Sequence, residues 1–242
     1  MGRLRALVAA AGRGSRAGLP YPKTLFPIQG KPILIRIVEL LTCYDNCPTI
    51  VVSPEGEAPI RECLEKAGLA FHLVLQPKPQ GMGDAVLRFQ ESPAFKSTDH
   101  GLLIWGDIPF LQPATIGAAV KAHFEHDNDF TFVTSVVDSA YTVVTRDISG
   151  GVIEVVETRE HGIAVPQAGE RDIGLFVFRN DVTLNALQEE LPGKYGRITS
   201  EHGFLYIIGS LAKRGLRVEA LPIATELDLV SMNTLKDVEA HL

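Results

Sequence analysis

The stretch LRALVAAAGRGSRAGLPYPKTLFPIQGKPIL, residues 4–34, decides how the chain reads. Its apolar run, Leu4 to Ala11, breaks into Gly12-Arg13-Gly14-Ser15-Arg16, and Pro22-Lys23 follows shortly after. A buried strand feeding a glycine-rich turn leaves backbone N–H groups open to phosphate oxygens, with no side chain in the way. Arg16 and Lys23 place two cations beside that turn, which suits a triphosphate better than a single phosphate. Gly12-x-Gly14-x-x-Ala17 also matches a dinucleotide fingerprint. That motif requires a helix opening at the loop and an acidic residue roughly 20 positions on. Pro20 and Pro22 would interrupt such a helix, and positions 29–38 hold no Asp or Glu.

Outward from this stretch, strand-like apolar runs at 4–10, 49–53, 71–75 and 101–105 alternate with helical spacing at 32–41, 59–67, 83–89 and 113–124. Alternation of this kind builds βαβ units and a mostly parallel sheet covered on both faces. The back half changes character. Runs at 130–137, 141–145, 151–157 and 173–178 are β-rich and closely spaced, with Ser149-Gly150-Gly151 as a hairpin turn. Helical spacing returns at 181–190 and 200–214, then a strand at 216–222 and a terminal helix from about Leu235. With no repeat or linker, residues 1–242 read as one domain: a nucleotide-binding half over about 1–125 and an acceptor-binding half over about 126–242.

Composition narrows the chemistry. A 45% hydrophobic content supplies a sizeable core, while a net charge of −6 and a pI of about 5.7 argue against nucleic acid as a partner. No apolar run approaches the ~20 residues of a membrane span. The first apolar segment runs into Gly12 without a cleavage site, so the chain reads as soluble and cytoplasmic. Cys43, Cys47 and Cys63 lack companions at zinc spacing and read as thiols in a reducing compartment. His123 and His126 lack the Glu and the spacing of a zinc-protease helix, and no serine sits in a G-x-S-x-G elbow.

Two further motifs follow. LQPKPQGMGDA, residues 75–85, sets Gln76 after a buried strand. Its amide both donates and accepts, so it can pair with the edge of a base, and Gly81 and Gly83 let the backbone come close. The same stretch also reads as a proline-stiffened loop with Gln76 solvated. LIWGDIPFL, residues 103–111, sets Asp107 just past an apolar strand, at the edge where open parallel sheets bind ligands. A carboxylate there can hold Mg2+ against phosphate oxygens, or cap a helix.

Together, G-x-G-x-R followed by P-K, the Q-P-x-P-x-G-x-x-x-A segment and the G-D pair resemble the sugar-1-phosphate nucleotidyltransferase (pyrophosphorylase) superfamily, over residues 4 to about 240. The resemblance is to a stand-alone form without a C-terminal hexapeptide-repeat domain. It implies an α/β fold with a Rossmann-like, three-layer, mostly parallel sheet. It also implies transfer of a nucleotidyl group from UTP, CTP or dTTP to a sugar 1-phosphate or related small phosphomonoester, with release of pyrophosphate. Mg2+ would be the cofactor, held by Asp107 and by Asn233 of LVSMNTLKDV, residues 229–238, with Asp228 as the substitute. Arg16, Lys23 and Asp107 would be catalytic. Ala10, Ala11, Gly12, Gly14 and Ser15 would join Arg16 and Lys23 at the nucleotide, Gln76, Gly81 and Met82 would meet its base, and Gly106, beside Asp107, would also bind the nucleotide.

At the acceptor end, Glu157 and Asp172 resemble positions that are Glu and Asn in the N-acetylglucosamine-1-phosphate uridylyltransferases, where they grip sugar hydroxyls and the acetamido group. Lys194, with Arg197, would meet the acceptor phosphate or lie solvated. Two departures stand out: a carboxylate at Asp172 can only accept hydrogen bonds, and AYTV, residues 140–143, stands where the family carries G-Y-G-R. The expectation is that Asp172 disfavours an N-acetylated sugar. Acidic residues at 157 and 172 also suit a cationic acceptor, so a cytidylyltransferase for phosphocholine or another small phosphate ester is the alternative. A non-catalytic nucleotide-sensing module is the rival from another class; it predicts loss of Lys23 or Asp107, and both are present.

Overall fold

The computed structural model describes residues 3–12, 18–162 and 167–241. In chain order the elements are β1 (Leu4–Ala9), β2 (Pro27–Ile28), β3 (Lys31–Pro32), α1 (Ile33–Leu41), β4 (Thr49–Val52), α2 (Pro54–Lys66), β5 (His72–Leu75), α3 (Met82–Leu87) and β6 (His100–Trp105). The back half continues with α4 (Pro113–Glu125), β7 (Phe130–Ala140), β8 (Thr142–Arg146), β9 (Val152–Glu157), β10 (Gln167–Arg179), α5 (Asn180–Gln188), α6 (Ile207–Lys213) and β11 (Val218–Leu221). Seven strands form one sheet in the order β11-β7-β10-β6-β1-β4-β5. Every pairing in it is parallel except those of β10, which runs antiparallel to β6 and β7.

β1 lies near the middle of the sheet, with Ala6, Leu7 and Val8 all fully buried. A parallel strand covered on both faces has no solvent side, which is why its sequence is a continuous apolar run. Register keeps like with like: Val8 lies beside Ile50 and Ile104, Leu7 beside Leu103, and Leu103 beside Phe176. Successive side chains alternate between faces. Ala6, Val8, Ile50 and Ile104 therefore pack with α1, α2 and α4 in one core. Leu7, Val51, Leu103 and Phe176 pack with α3, α5 and α6 in a second. In the latter, Phe176 and Phe204 meet edge to face at 5.0 Å.

β1, β4, β5 and β6 run parallel, so the turns after them, including residues 10–12, 76 and 106–107, open on one edge of the sheet. The β8–β9 hairpin stands over β10 and α6 and walls the same edge from the back half of the chain. Its turn is held by Asp147, whose Oδ1 accepts from Ser149 N at 2.8 Å and Gly151 N at 2.9 Å.

Three elements differ from the expected spans. α2 starts at Pro54, ahead of Pro59, because Ser53 Oγ accepts from Gly56 N at 3.1 Å and Pro54 fills the first helical position. α6 begins only at Ile207, since the backbone of residues 200–203 is spent elsewhere: His202 N donates to Gln80 O at 2.6 Å and accepts, through its own carbonyl, from Gly83 N at 3.0 Å. In place of a terminal α-helix the chain makes two 3-10 turns, Leu235–Asp237 and Glu239–His241, the first closed by reciprocal capping between Thr234 and Asp237.

Candidate active site

A cleft of about 860 Å³ opens along that edge. At its centre the turns after β1 and β6 touch. Gly106 N donates to Ala9 O at 3.0 Å, and a Cβ at 106 would stand 2.7 Å from Ala9 O and 2.9 Å from Thr24 Cγ2. Only glycine allows this approach. The 3-10 turn Lys23–Leu25 then carries Lys23 across, and its Nζ meets Asp107 Oδ2 at 2.5 Å, with the two side chains 17% and 15% exposed. Ala11 and Gly12 line the cleft beside them. Ala10 does not contribute its N–H: it is buried, and that group donates to Val51 O at 2.8 Å. Ala9 lines the cleft in its place. Gly14, Ser15 and Arg16 fall outside the described residues.

Asp107 Oδ1 is buried with no hydrogen-bond partner among the described residues. Met232 N donates to Asp107 O at 2.8 Å, which draws the 229–234 segment over the site and puts Asn233 on the cleft wall. Asn233 Nδ2 donates to Ser231 Oγ at 3.1 Å, so its amide oxygen is the atom turned away from that bond. An unpartnered carboxylate oxygen and a neighbouring amide oxygen are the donors a hard divalent cation prefers, the rest of its shell being phosphate and water. Among the described residues no group of three or more His, Cys, Asp or Glu could hold a metal. Asp228 is not the substitute ligand. It is 1% exposed, and its oxygens accept from Gln112 N at 2.7 Å, Thr115 Oγ1 at 2.8 Å and Thr225 N at 2.8 Å. That carboxylate caps the start of α4.

Gln76 and Met82 line one end of the cleft with Gly81. Gln76 is buried, and its backbone extends the sheet ladder by donating to Val52 O at 2.8 Å. The loop that follows is wedged under the 200–204 segment. A Cβ on Gly81 would stand 2.4 Å from His202 O, and one on Gly83 would stand 2.1 Å from Gly203 O. Gly81 also has φ +105°, which favours glycine. His202 and Gly203 line the cleft from above, a role that nothing in the local sequence of residues 200–204 announces.

At the far end half-buried Glu157 lines the cleft, and desolvation, reinforced by the charge of Asp172, raises its carboxyl above the usual range. Asp172 itself does not reach the cleft. It is 6% exposed, its Oδ1 accepts from Thr142 Oγ1 at 2.6 Å and its Oδ2 from Gly174 N at 3.1 Å. Gly174, at φ +83°, marks an irregularity in β10 that makes room for the Trp105 ring, and the carboxylate ties that bend together. Thr142 lines the cleft instead. Burial raises the Asp172 carboxyl as well. Lys194 also departs from expectation: it is 8% exposed, its Nζ pairs with Glu190 Oε1 at 2.6 Å, and it borders a separate small cavity that Gln80 and Asp84 also line. Arg159 and Arg197 are the cations on this part of the wall.

The cleft thus lies at the carboxyl edge of a mostly parallel sheet, with a lysine and an aspartate facing each other where two strand-end turns meet. Residues 6–200 match the family described as the MobA-like NTP transferase domain, and the chain belongs to that family. It is 26% identical over 249 aligned residues to the bifunctional protein GlmU of Brevibacillus brevis, covering 100% of this chain and 52% of the relative. It is 30% identical over 186 residues to GlmU of an Exiguobacterium species, covering 76% of this chain and 40% of the relative. The chain thus spans about half the length of the curated relatives it matches. Among solved structures, a putative glucose-1-phosphate thymidylyltransferase from Bacillus anthracis, in complex with a sucrose, superposes with a TM-score of 0.77 at 19% identity, over 98% of this chain and 93% of that one. That likeness bears out the α/β fold with its mostly parallel sheet. No helix among the described residues is long and apolar enough to cross a membrane.

Proposed function

We infer that the protein transfers a nucleotidyl group from a pyrimidine nucleoside triphosphate (UTP, CTP or dTTP) to the phosphate of a sugar 1-phosphate or related phosphomonoester. The observation that carries this reading is Asp107, which lines the cleft together with Asn233, pairs through Oδ2 with Lys23, and has a buried Oδ1 with no hydrogen-bond partner among the described residues. Asp107 and Asn233 fit Mg2+, which when bound would neutralise phosphate charge between the two reactants. An oxygen of the acceptor phosphate forms the new bond to the α-phosphorus as the bond to the β-phosphate oxygen breaks and pyrophosphate leaves. No protein nucleophile is needed, and positioning and charge neutralisation carry the catalysis. Lys23 would follow the charge that builds on the transferred and leaving groups. Gln76, Gly81 and Met82 would hold the base, and Glu157 and Thr142 the acceptor.

A second reading concerns the acceptor alone. Glu157 on the cleft wall, with Asp172 one hydrogen bond behind Thr142, favours a group that donates hydrogen bonds or carries positive charge, so an amine-bearing phosphate ester competes with a sugar 1-phosphate. The test is pyrophosphate release from four NTPs against N-acetylglucosamine 1-phosphate, glucose 1-phosphate and phosphocholine, with Asp107→Asn as the control. Release that survives Asp107→Asn at saturating Mg2+ would refute the reading.

A further inference from the structure

We propose that Asp84, a residue with no role in the motif that contains it, sets the base specificity by locking the Gln76 amide in one orientation. The proposal rests on the reading of Gln76 as the residue that meets the base.

A primary amide has two hydrogens to give and one oxygen to offer. Both hydrogens of Gln76 are committed: Nε2 donates to Gly81 O at 2.9 Å and to Asp84 Oδ2 at 3.0 Å. Neither partner has a proton to return. Rotating the amide by half a turn would aim Oε1 at a carbonyl oxygen and a carboxylate oxygen at once, exchanging two hydrogen bonds for two acceptor–acceptor contacts in a buried site. The lock is itself held from behind. Arg88 Nη2 donates to Asp84 Oδ1 at 2.8 Å and its Nη1 to Glu91 Oε1 at 2.8 Å, so the guanidinium ties the carboxylate to the end of the same helical segment. Gly81 O, the other acceptor, cannot drift, because Gly83 N and Gln80 O are both bonded to His202.

Oε1 is therefore the only atom of that amide left for the cleft. The site offers the base an acceptor and no donor from this side chain, which favours a base whose ring nitrogen brings an N–H to Gln76, as N3 of uracil or thymine does, over cytosine or adenine, whose corresponding ring nitrogens only accept. An amide free to turn would pair as readily with a ring nitrogen that accepts. Asp84 acts through Gln76 and is a positioning residue.

The experiment compares kcat/KM for UTP, dTTP, CTP and ATP in the wild type, Gln76→Ala, Asp84→Asn and Asp84→Leu, with thermal midpoints for each and nucleotide binding by calorimetry in the absence of acceptor. Asp84→Asn keeps the shape but supplies a donor, so the Gln76 amide can turn. The ratio of best to next-best nucleotide is expected to narrow by about tenfold or more in both Asp84 variants, with KM for the disfavoured nucleotide falling. A merely structural role would raise KM for every nucleotide together. If Gln76→Ala collapses the ratio while both Asp84 variants keep it within about threefold of wild type, the lock is refuted and the base reading stands. If Gln76→Ala leaves the ratio intact, or the wild type does not discriminate among the four nucleotides, the base reading fails and the lock with it.

Discussion

Replacing Lys23 by Met should move two observables in opposite directions. In the protein without ligands, Lys23 Nζ sits 2.5 Å from Asp107 Oδ2, with both side chains less than one-fifth exposed. A hydrogen bond between charged groups at such a partly buried site contributes about 1.5–3 kcal/mol. Discounting for the solvent that still reaches the pair leaves about 1–2 kcal/mol that a cation must overcome to engage Asp107. Removing the ammonium should then tighten divalent-cation binding by about 5- to 30-fold. Turnover should move the other way. In the proposed reaction the ammonium would be a preorganised charge at the phosphates in transfer, and loss of one such donor costs about 10²–10³ in kcat. Mn2+ binding to the apoprotein, followed by electron paramagnetic resonance, reads the first effect; continuous pyrophosphate release at saturating metal reads the second. A variant that binds Mn2+ no more tightly than wild type, or keeps turnover within tenfold of it, would refute the reasoning.

Three other outcomes follow from the geometry. Gly83→Ala puts a Cβ 2.1 Å from Gly203 O, so the 81–83 backbone must shift; stability should fall by about 1–3 kcal/mol and kcat/KM for the nucleotide by up to about 10²-fold, read by denaturant melts and steady-state kinetics. Thr142→Val removes a hydroxyl whose proton is given to Asp172; acceptor KM should rise by roughly 5- to 30-fold with nucleotide KM unchanged, and an equal rise in both would count against the acceptor assignment. His123, buried against His100, has its pKa lowered by desolvation from 6.5 to about 4. A group depressed in the folded state stabilises above its unfolded pKa and loses that contribution as pH falls, here by roughly 2 kcal/mol between pH 7 and pH 5. Denaturant melts across that range should show His123→Gln losing less stability on acidification than wild type.

Much of the architecture was legible along the chain. Apolar runs alternating with helical spacing encode a parallel sheet covered on both faces, and such strands all end at one edge, so Gly12, Gln76 and Asp107 had to come together there. The residue types at those ends, two glycine-rich turns, an amide and a carboxylate, are what the proposed phosphate, base and metal roles rest on. Tertiary structure alone decided which side chains face the cleft. Asp172 is turned inward by the bend at Gly174, Lys194 is drawn off by Glu190, and Asp228 caps a helix that begins at Pro113. It also joined Gln80 and Gly83 to His202, and so cut short a helix expected from residue 200. The reason is physical: periodicity and turn chemistry act over a few residues and leave a mark in the local sequence. A backbone pairing across about 120 positions, or the choice of partner for a buried carboxylate, is settled by whichever donors the fold brings within reach.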